Sequence, residues 1–388
     1  MPGRRPAQKP LAPALMLGLL GASALAGAAS SCGSERGTAP PIDVGSGGSG
    51  GTANPIHEHE AGPPSPDAGG LCGNTIHQIV SDTPNIVFLF DTSGSMATIV
   101  QGGHSRYTLV RDAAVGLVEK LGALINPGAA RFPANVSDQD QCHAGEMVMP
   151  VSAGDDGGPT TQRFEQATLM TPIGGTPLAA TLRALTTPLG FVPGRTFVVL
   201  ATDGAPNCNY DAMCTASMCE PNIEGQCGPS FNCCAANGPA GPSSCVDEQA
   251  SVEAVQALAA EGIGVYVVGI PGSDAYASVL DDLAIAGGTA KPNEPRYYKV
   301  DDLGHLEDVF GSIASIAISC DFDIADPPPD QGMTNVYLDQ TILPYGAKNG
   351  WTWKSDTVVE LHGSACTELK NGKVKQVQIV SGCPTVVK

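Results

Sequence analysis

The chain has 388 residues, with 39 acidic side chains against 20 basic ones and a formal net charge of −19. Such an acidic balance repels nucleic acid and acidic partners alike, and the basic residues form no patch after the N-terminal segment. Nucleic-acid binding therefore has no support. The length suits one domain of ordinary size with a small appendage.

Residues 1–31 have the pattern of a secretion signal. Three basic residues, Arg4, Arg5 and Lys9, precede a stretch over 11–29 that is rich in Leu, Ala and Gly. The low hydrophobicity of this stretch and its small-residue end argue against a retained membrane helix. We expect this segment to direct the chain across the inner membrane.

The end of that segment, Ala-Ser-Ser-Cys over 29–32, resembles a bacterial lipobox in which Ala29 stands where leucine is usual. The resemblance implies that Cys32 is lipidated. Gly33 fits the pattern sorted to the outer membrane, with the protein facing the periplasm or the exterior. The alternative is an ordinary signal peptide cut near Ala29.

The 13 cysteines support lipidation, because setting Cys32 aside leaves an even number that six disulfides absorb. So many cysteines behind a signal segment indicate an oxidising compartment. No C-x-x-C pair occurs, so zinc binding and thiol-redox chemistry are not expected. Residues 32–70, rich in Gly, Pro and Ser, are predicted to be a disordered tether between the membrane and a globular part that begins near Leu71.

The central stretch of the globular part is 85–96. Five consecutive apolar residues over 86–90 predict a strand that is buried on both faces of a parallel sheet. Asp91, Ser93 and Ser95 follow at alternate positions, where the strand's carboxyl end places ligands in open α/β sheets. Carboxylate and hydroxyl oxygens suit Mg²⁺ or a similar divalent cation.

Residues 91–95, Asp-Thr-Ser-Gly-Ser, resemble the metal-ion-dependent adhesion site (MIDAS) of von Willebrand factor type A (VWA) domains. The family also needs a threonine on a later loop and an aspartate after a central strand. Residues 174–178, Gly-Gly-Thr-Pro-Leu, resemble the threonine loop, and the apolar strand 196–202 runs into Asp203. The alternative is that these residues only cap helices and turns.

The resemblance implies an α/β fold with a doubly wound, mostly parallel sheet flanked by helices. It implies that Ser93 and Ser95 hold the ion directly, Thr176 directly in a ligand-engaged state, and Asp91 and Asp203 directly or through water. Mg²⁺ is the expected ion, with Mn²⁺ and Ca²⁺ as alternatives. The expected partner is a protein that offers an Asp or Glu carboxylate.

Apolar periodicity predicts the other elements of a VWA domain over 71–320. The alternation of strands with amphipathic helices is typical of a doubly wound sheet. Helices are predicted around 110–124, 164–169, 178–185, 252–258, 276–283 and 303–317, and strands at 130–134, 146–151, 263–270 and 297–300.

An insertion over 208–245 interrupts this pattern directly after Asp203. Its seven cysteines are Cys208, Cys214, Cys219, Cys227, Cys233, Cys234 and Cys245. With little hydrophobic periodicity, its shape must come from cross-links. Because seven is odd, we predict one bridge from Cys142 into the insertion. Its place beside the ion makes it a candidate for partner selection, and the alternative is a stapled surface loop.

Residues 321–388 are predicted to form a small β-rich extension that packs on the main domain. Three prolines at 327–329 mark the boundary, strands are expected at 335–338, 351–354, 358–361 and 374–380, and a short helix at 364–370. Cys366 is expected to pair with Cys383, and Cys320 with Cys72.

Three functions compete. The favoured one is a cell-envelope adhesion module that captures an acidic group of a protein through the cation. The second is a structural lipoprotein, in which the metal only orders loops and the Cys-rich insertion makes the contacts. A hydrolase is not expected, because the chain has no H-E-x-x-H, no G-x-S-x-G and no Cys/His pairing of recognisable spacing.

Overall fold

The computed structural model describes residues 72–80, 83–137, 140–228 and 231–387. The predicted signal segment, Cys32, the predicted tether and Leu71 lie outside the described residues. No helix in the described part of the chain has the length and hydropathy needed to cross a membrane.

The described residues form fourteen strands and eight α-helices. The strands are β1 (Thr75–His77), β2 (Ile79–Val80), β3 (Asn85–Asp91), β4 (Asn126–Phe132), β5 (Glu146–Met149), β6 (Thr196–Thr202), β7 (Gly264–Gly269), β8 (Tyr298–Lys299), β9 (Asp321–Ile324), β10 (Thr334–Leu338), β11 (Thr341–Ile342), β12 (Trp351–Trp353), β13 (Val358–Leu361) and β14 (Val377–Ser381). The helices are α1 (Arg106–Leu121), α2 (Pro159–Ala167), α3 (Leu178–Gly190), α4 (Glu220–Ile223), α5 (Glu248–Ala260), α6 (Ala277–Ala286), α7 (Leu306–Ala317) and α8 (Ser364–Lys370).

The main sheet has six strands in the order β5-β4-β3-β6-β7-β8, and only the edge strand β5 is antiparallel to its neighbour. One face packs against α1, α2 and α7, and the other against α3, α5 and α6. Every residue of β3 is buried. The predicted mixed α/β fold, with a parallel-rich sheet between helices, is confirmed.

The strand order places a topological switch point at β3. The chain leaves β3 for β4 on one side and later returns as β6 on the other side, with Phe90 opposite Ala201. The carboxyl ends of β3 and β6 therefore lie side by side at the edge where open α/β sheets form a crevice. Asp91 ends β3, and Asp203 directly follows β6.

The β-rich part consists of two four-stranded sheets, β1-β14-β10-β11 and β12-β13-β9-β2. The predicted boundaries, 71–320 and 321–388, are wrong at the N-terminal side, because β1 and β2 pair only with strands of this second part. Strands of two or three residues carry too little pattern to reveal their partners. The two parts share one core in which Trp351 and Phe310 are both buried, so the extension packs on the main domain as expected.

Six disulfides cross-link the twelve cysteines of the described residues. They are Cys72–Cys383, Cys142–Cys208, Cys214–Cys245, Cys219–Cys234, Cys227–Cys233 and Cys320–Cys366. Cys142 reaches into the insertion, as expected.

The other two predicted pairings, Cys366–Cys383 and Cys320–Cys72, are wrong. Antiparallel pairing of β1 with β14 sets Thr75 opposite Ser381, which brings the flanking Cys72 and Cys383 together. Pairing of β9 with β13 brings Cys320 beside the start of α8, where Cys366 lies. Strand register, rather than distance along the chain, decides both bonds.

Candidate metal centre

Asp91 lies at the carboxyl end of β3, with only 1% of its surface exposed. Its Oδ1 accepts a hydrogen bond of 2.8 Å from the backbone N–H of Ser93, and its Oδ2 accepts one of 2.6 Å from the Thr202 hydroxyl. The neighbouring strand β6 thus fixes the carboxylate that β3 presents.

Two serine hydroxyls connect this carboxylate region to Asp203. A 3₁₀ turn over Gly94–Ala97 brings the Oγ atoms of Ser93 and Ser95 to 3.0 Å from each other. The Ser95 hydroxyl donates a hydrogen bond of 2.7 Å to Oδ1 of Asp203, which is also buried. Four predicted ligands, Asp91, Ser93, Ser95 and Asp203, therefore form one cluster of oxygen atoms.

The threonine loop and the preceding Ile173 are bonded to the serine-bearing segment after β3. The backbone N–H of Ile173 donates to the carbonyl of Thr92 at 2.7 Å, and that of Gly94 donates to the carbonyl of Gly174 at 2.9 Å. The fifth predicted ligand, Thr176, is 94% buried in this loop. The fold thus brings all three predicted segments to one edge of the sheet.

Arg106, which was not predicted, belongs to the site. As the first residue of α1, it extends its Nη1 to 2.5 Å from Oδ2 of Asp203. Gly272 makes room for it, because a Cβ at that position would lie 3.0 Å from the guanidinium nitrogens. A positive side chain in the first turn of a helix is unfavourable, because it lies near the positive end of the helix dipole. An arginine at this position could therefore have been recognised in the sequence as one that needs a nearby carboxylate.

Electrostatics favour a cation at this cluster. Burial, the larger cause, and the nearby charge of Asp203 together raise the pKa of Asp91 to about 7, outweighing the hydrogen bonds from Ser93 and Thr202. Two buried carboxylates face one guanidinium, so the ionised cluster has an excess of negative charge. Buried charge of this kind is costly unless it is paired or coordinates a metal.

The donor chemistry fits a hard divalent cation. Carboxylate and hydroxyl oxygens are the groups that Mg²⁺, Mn²⁺ and Ca²⁺ prefer, and the predicted ligands supply no nitrogen or sulfur atom. Elsewhere in the described residues, the Sγ atoms of Cys214, Cys234 and Cys245 lie within 4.8 Å of one another. These sulfurs are engaged in disulfides, so they are not free thiolate ligands.

The Cys-rich insertion stands at the same edge of the sheet. Cys208 begins it five residues after Asp203, and its disulfide with Cys142 crosses to the segment beside the threonine loop. The backbone N–H of Asp247, at the other end of the insertion, donates to the carbonyl of Pro206. Both ends of the insertion are therefore anchored close to the site.

Comparison with known proteins finds no matching family model and no matching curated protein. The chain is similar to proximal thread matrix protein 1 of the mussel byssus, with 17% identity over 62% of this chain and 49% of that one, at a TM-score of 0.39. It is similar to the minor pilin PilB of Streptococcus sanguinis, with 19% identity over 60% of each chain, at 0.42.

A third similar structure is the vWF domain of the type V pili tip protein Mfa5 from Porphyromonas gingivalis. There the identity is 14% over 60% of this chain and 94% of that one, at a TM-score of 0.41. The chain thus spans about half to three fifths of the byssus and PilB chains. Superpositions this distant bear on neither the partner nor the ion of this chain.

Proposed function

We propose that this chain is a binding module of the VWA type that captures an Asp or Glu carboxylate of a protein partner through a divalent cation. The observation that carries the proposal is the convergence of three sequence segments on one oxygen cluster at the switch point of the sheet, in which Asp91, Ser93 and Asp203 are buried while Ser95 is exposed. The residues proposed to hold the ion are Asp91, Ser93, Ser95, Thr176 and Asp203.

The chain's own residues explain how such a site would act. Ser93, Ser95 and Thr176 offer oxygen atoms without formal charge, and Arg106 already offsets the charge of Asp203. Such a donor set leaves a bound divalent cation electrophilic, so that a carboxylate from outside can complete its coordination shell. Mg²⁺ is the proposed ion, and Mn²⁺ and Ca²⁺ are the alternatives.

The net charge confines capture to this place. At −19, the chain repels acidic partners over most of its surface. A divalent cation offsets that repulsion locally. The proposed role is binding without catalysis, because the Ser95 hydroxyl is bonded to a carboxylate and to Ser93, rather than to a base such as histidine.

Calorimetric titration of the purified chain with Mg²⁺, Mn²⁺ and Ca²⁺ tests the ion site. We expect one site per chain that Asp203→Ala removes. Glu261→Gln, at an exposed position beyond the C-terminus of α5, changes the net charge without touching the cluster and should bind as the wild type does. Absence of cation binding in the wild type would refute the proposal.

Capture of a carboxylate is tested separately with glutarate as a probe. Protein-bound Mn²⁺ relaxes the protons of exchanging water, and a carboxylate that enters its coordination shell displaces water and lowers this relaxation. We expect glutarate to lower the relaxation for the wild type in a saturable way. An unchanged relaxation at saturating glutarate would mean that the bound ion accepts no outside carboxylate.

The structural alternative has one specific observation in its favour. The Cys-rich insertion exposes apolar side chains, with Met213 99%, Tyr210 63% and Phe231 53% exposed. A groove of about 610 Å³ beside Met213 runs between the insertion and α5. If these side chains make the contacts, Met213→Ser and Phe231→Ser should abolish partner binding, and a chelator should leave it unchanged. If the ion makes the contact, the chelator should abolish partner binding.

We also propose that the protein is an outer-membrane lipoprotein, anchored through Cys32 and facing the periplasm or the exterior. The support is that six disulfides use the other twelve cysteines, as expected for an oxidising compartment. Cys32→Ser should release the protein from the membrane fraction. If the variant stays with the membranes, another feature provides the anchor.

A further inference from the structure

Asn207, four residues after Asp203, forms a two-bond clamp on Thr176. The backbone N–H of Thr176 donates to Oδ1 of Asn207 at 2.7 Å, and the backbone N–H of Asn207 donates to the carbonyl of Thr176 at 2.9 Å. Asn207 is 91% buried. Two opposed bonds fix both peptide groups of Thr176, and with them the place from which its hydroxyl extends.

The same asparagine is held from the Cys-rich insertion. Its Nδ2 donates a hydrogen bond of 2.5 Å to Oε2 of Glu220, the first residue of α4. The adjacent Cys219 is tied to Cys234, which fixes α4 within the insertion. Burial, with contributions from the charges of Glu224 and Asp203, raises the pKa of Glu220 to about 7 despite the hydrogen bond from Asn207. A continuous chain of bonds thus leads from the insertion to the threonine loop.

A disulfide closes the other side of the threonine loop. A Cβ at Gly175 would lie 2.5 Å from Sγ of Cys208 and 3.3 Å from Sγ of Cys142, so the disulfide lies directly against this glycine. The backbone N–H of Gly175 also donates to the carbonyl of Gln141 at 2.8 Å. The residue before Thr176 is therefore confined by the bridge that joins the insertion to the main domain.

We infer that Asn207 is a positioning residue of the metal centre, through which Glu220 and the Cys-rich insertion hold Thr176 in place for the ion. The role of Thr176 as a metal ligand rests on the proposed function, whereas the clamp of Asn207 on Thr176 does not. It gives the insertion a second task besides any contact with a partner. Preorganised ligands of this kind raise affinity because less conformational freedom is lost on binding.

The clamp can be measured without any metal. Hydrogen exchange of the Thr176 amide in cation-free buffer should be faster in Asn207→Ala and Glu220→Ala than in the wild type. Glu220→Gln keeps an acceptor for Asn207 and should exchange as the wild type does. Asn209→Ala is the matched control, since Asn209 lies in the same insertion but bonds to Asp247. An unchanged Thr176 amide in Asn207→Ala would overturn the clamp.

Its role in the site is measured by Mn²⁺ titration as a double-mutant cycle. We expect Asn207→Ala and Thr176→Ala each to lower Mn²⁺ affinity about tenfold, and the double variant to lose little more, because both changes remove the same ligand. Glu220→Gln should keep the wild-type affinity, and melting temperatures identify any variant that has lost its fold.

Two outcomes would overturn the positioning role. The first is that Asn207→Ala binds Mn²⁺ as tightly as the wild type while Thr176→Ala binds it more weakly. The second is that the losses of affinity in the two single variants add fully in the double variant. Failure of the proposed function looks different, because the wild type then binds no Mn²⁺ while the exchange experiment still reports the clamp.

Discussion

The hydroxyl of Ser95 donates a hydrogen bond of 2.7 Å to Oδ1 of Asp203 across 108 residues of sequence. This bond joins the turn after β3 to the loop after β6. Because β3 and β6 pair in parallel, their carboxyl ends lie at the same edge of the sheet, and this brings Ser95 close to Asp203. The proposed site is therefore assembled by the strand order of the sheet.

Ser95→Ala should lower Mn²⁺ affinity by at least about tenfold, because it removes a proposed ligand and the partner of the Asp203 carboxylate. Calorimetry measures the change. Ser312→Ala, at an exposed position on α7, serves as a control and should leave affinity unchanged. Equal affinities in Ser95→Ala and the wild type would remove Ser95 from the ligand set.

Arg106→Gln should bind Mn²⁺ about tenfold more tightly, since a guanidinium close to a divalent cation costs about 1.4 kcal/mol even in a solvent-like dielectric. The control is Arg111→Gln on the same helix, because Arg111 pairs with Asp112 instead. Weaker binding in Arg106→Gln would show that orientation of Asp203 outweighs charge repulsion at this position.

Asp155 caps the N-terminus of α2. Burial raises the pKa of its carboxyl, but hydrogen bonds from Thr160, Thr161 and Gly158 outweigh burial and lower it to about 2. A lowered folded-state pKa contributes stability that is present above about pH 4 and is lost as the pH falls towards 2.

Asp155→Ala should therefore lower the free energy of unfolding by about 1 kcal/mol near pH 6, and the difference from the wild type should shrink by pH 2.5. Urea unfolding at the two pH values measures both. Asp156→Ala, which removes only the ion pair with Lys375, should change stability far less. A difference that does not depend on pH would contradict the capping role.

Peptide mapping without reduction should recover Cys72 linked to Cys383 and Cys320 linked to Cys366. The reason is that the strand pairs β1–β14 and β9–β13 bring these cysteines together. Mass spectrometry of the linked peptides distinguishes these two bonds from the pairing of Cys366 with Cys383 that the sequence suggested. A Cys366–Cys383 peptide would mean that β1 does not belong to the C-terminal sheet.

The sequence alone determined the elements whose pattern is local. An apolar run followed by Asp91, Ser93 and Ser95 predicts a buried strand with an oxygen-rich carboxyl end, and the second such strand predicts the place of Asp203. These inferences need only the burial of a parallel strand on both faces, which leaves a continuous apolar run in the sequence. The helix faces are readable from their apolar period of three to four residues, and the C-terminal strands from short apolar runs between turn residues, which are local patterns as well.

Tertiary structure decided what depends on partners far apart in the chain. The salt bridge of Arg106 with Asp203, the clamp of Asn207 on Thr176 and the pairing of Cys72 with Cys383 each join segments brought together only by the fold. Strands as short as β1 and β2 take their sheet from the register of distant residues. Side-chain chemistry predicted the kind of site, and the packing of the sheet supplied the residues that hold it in place.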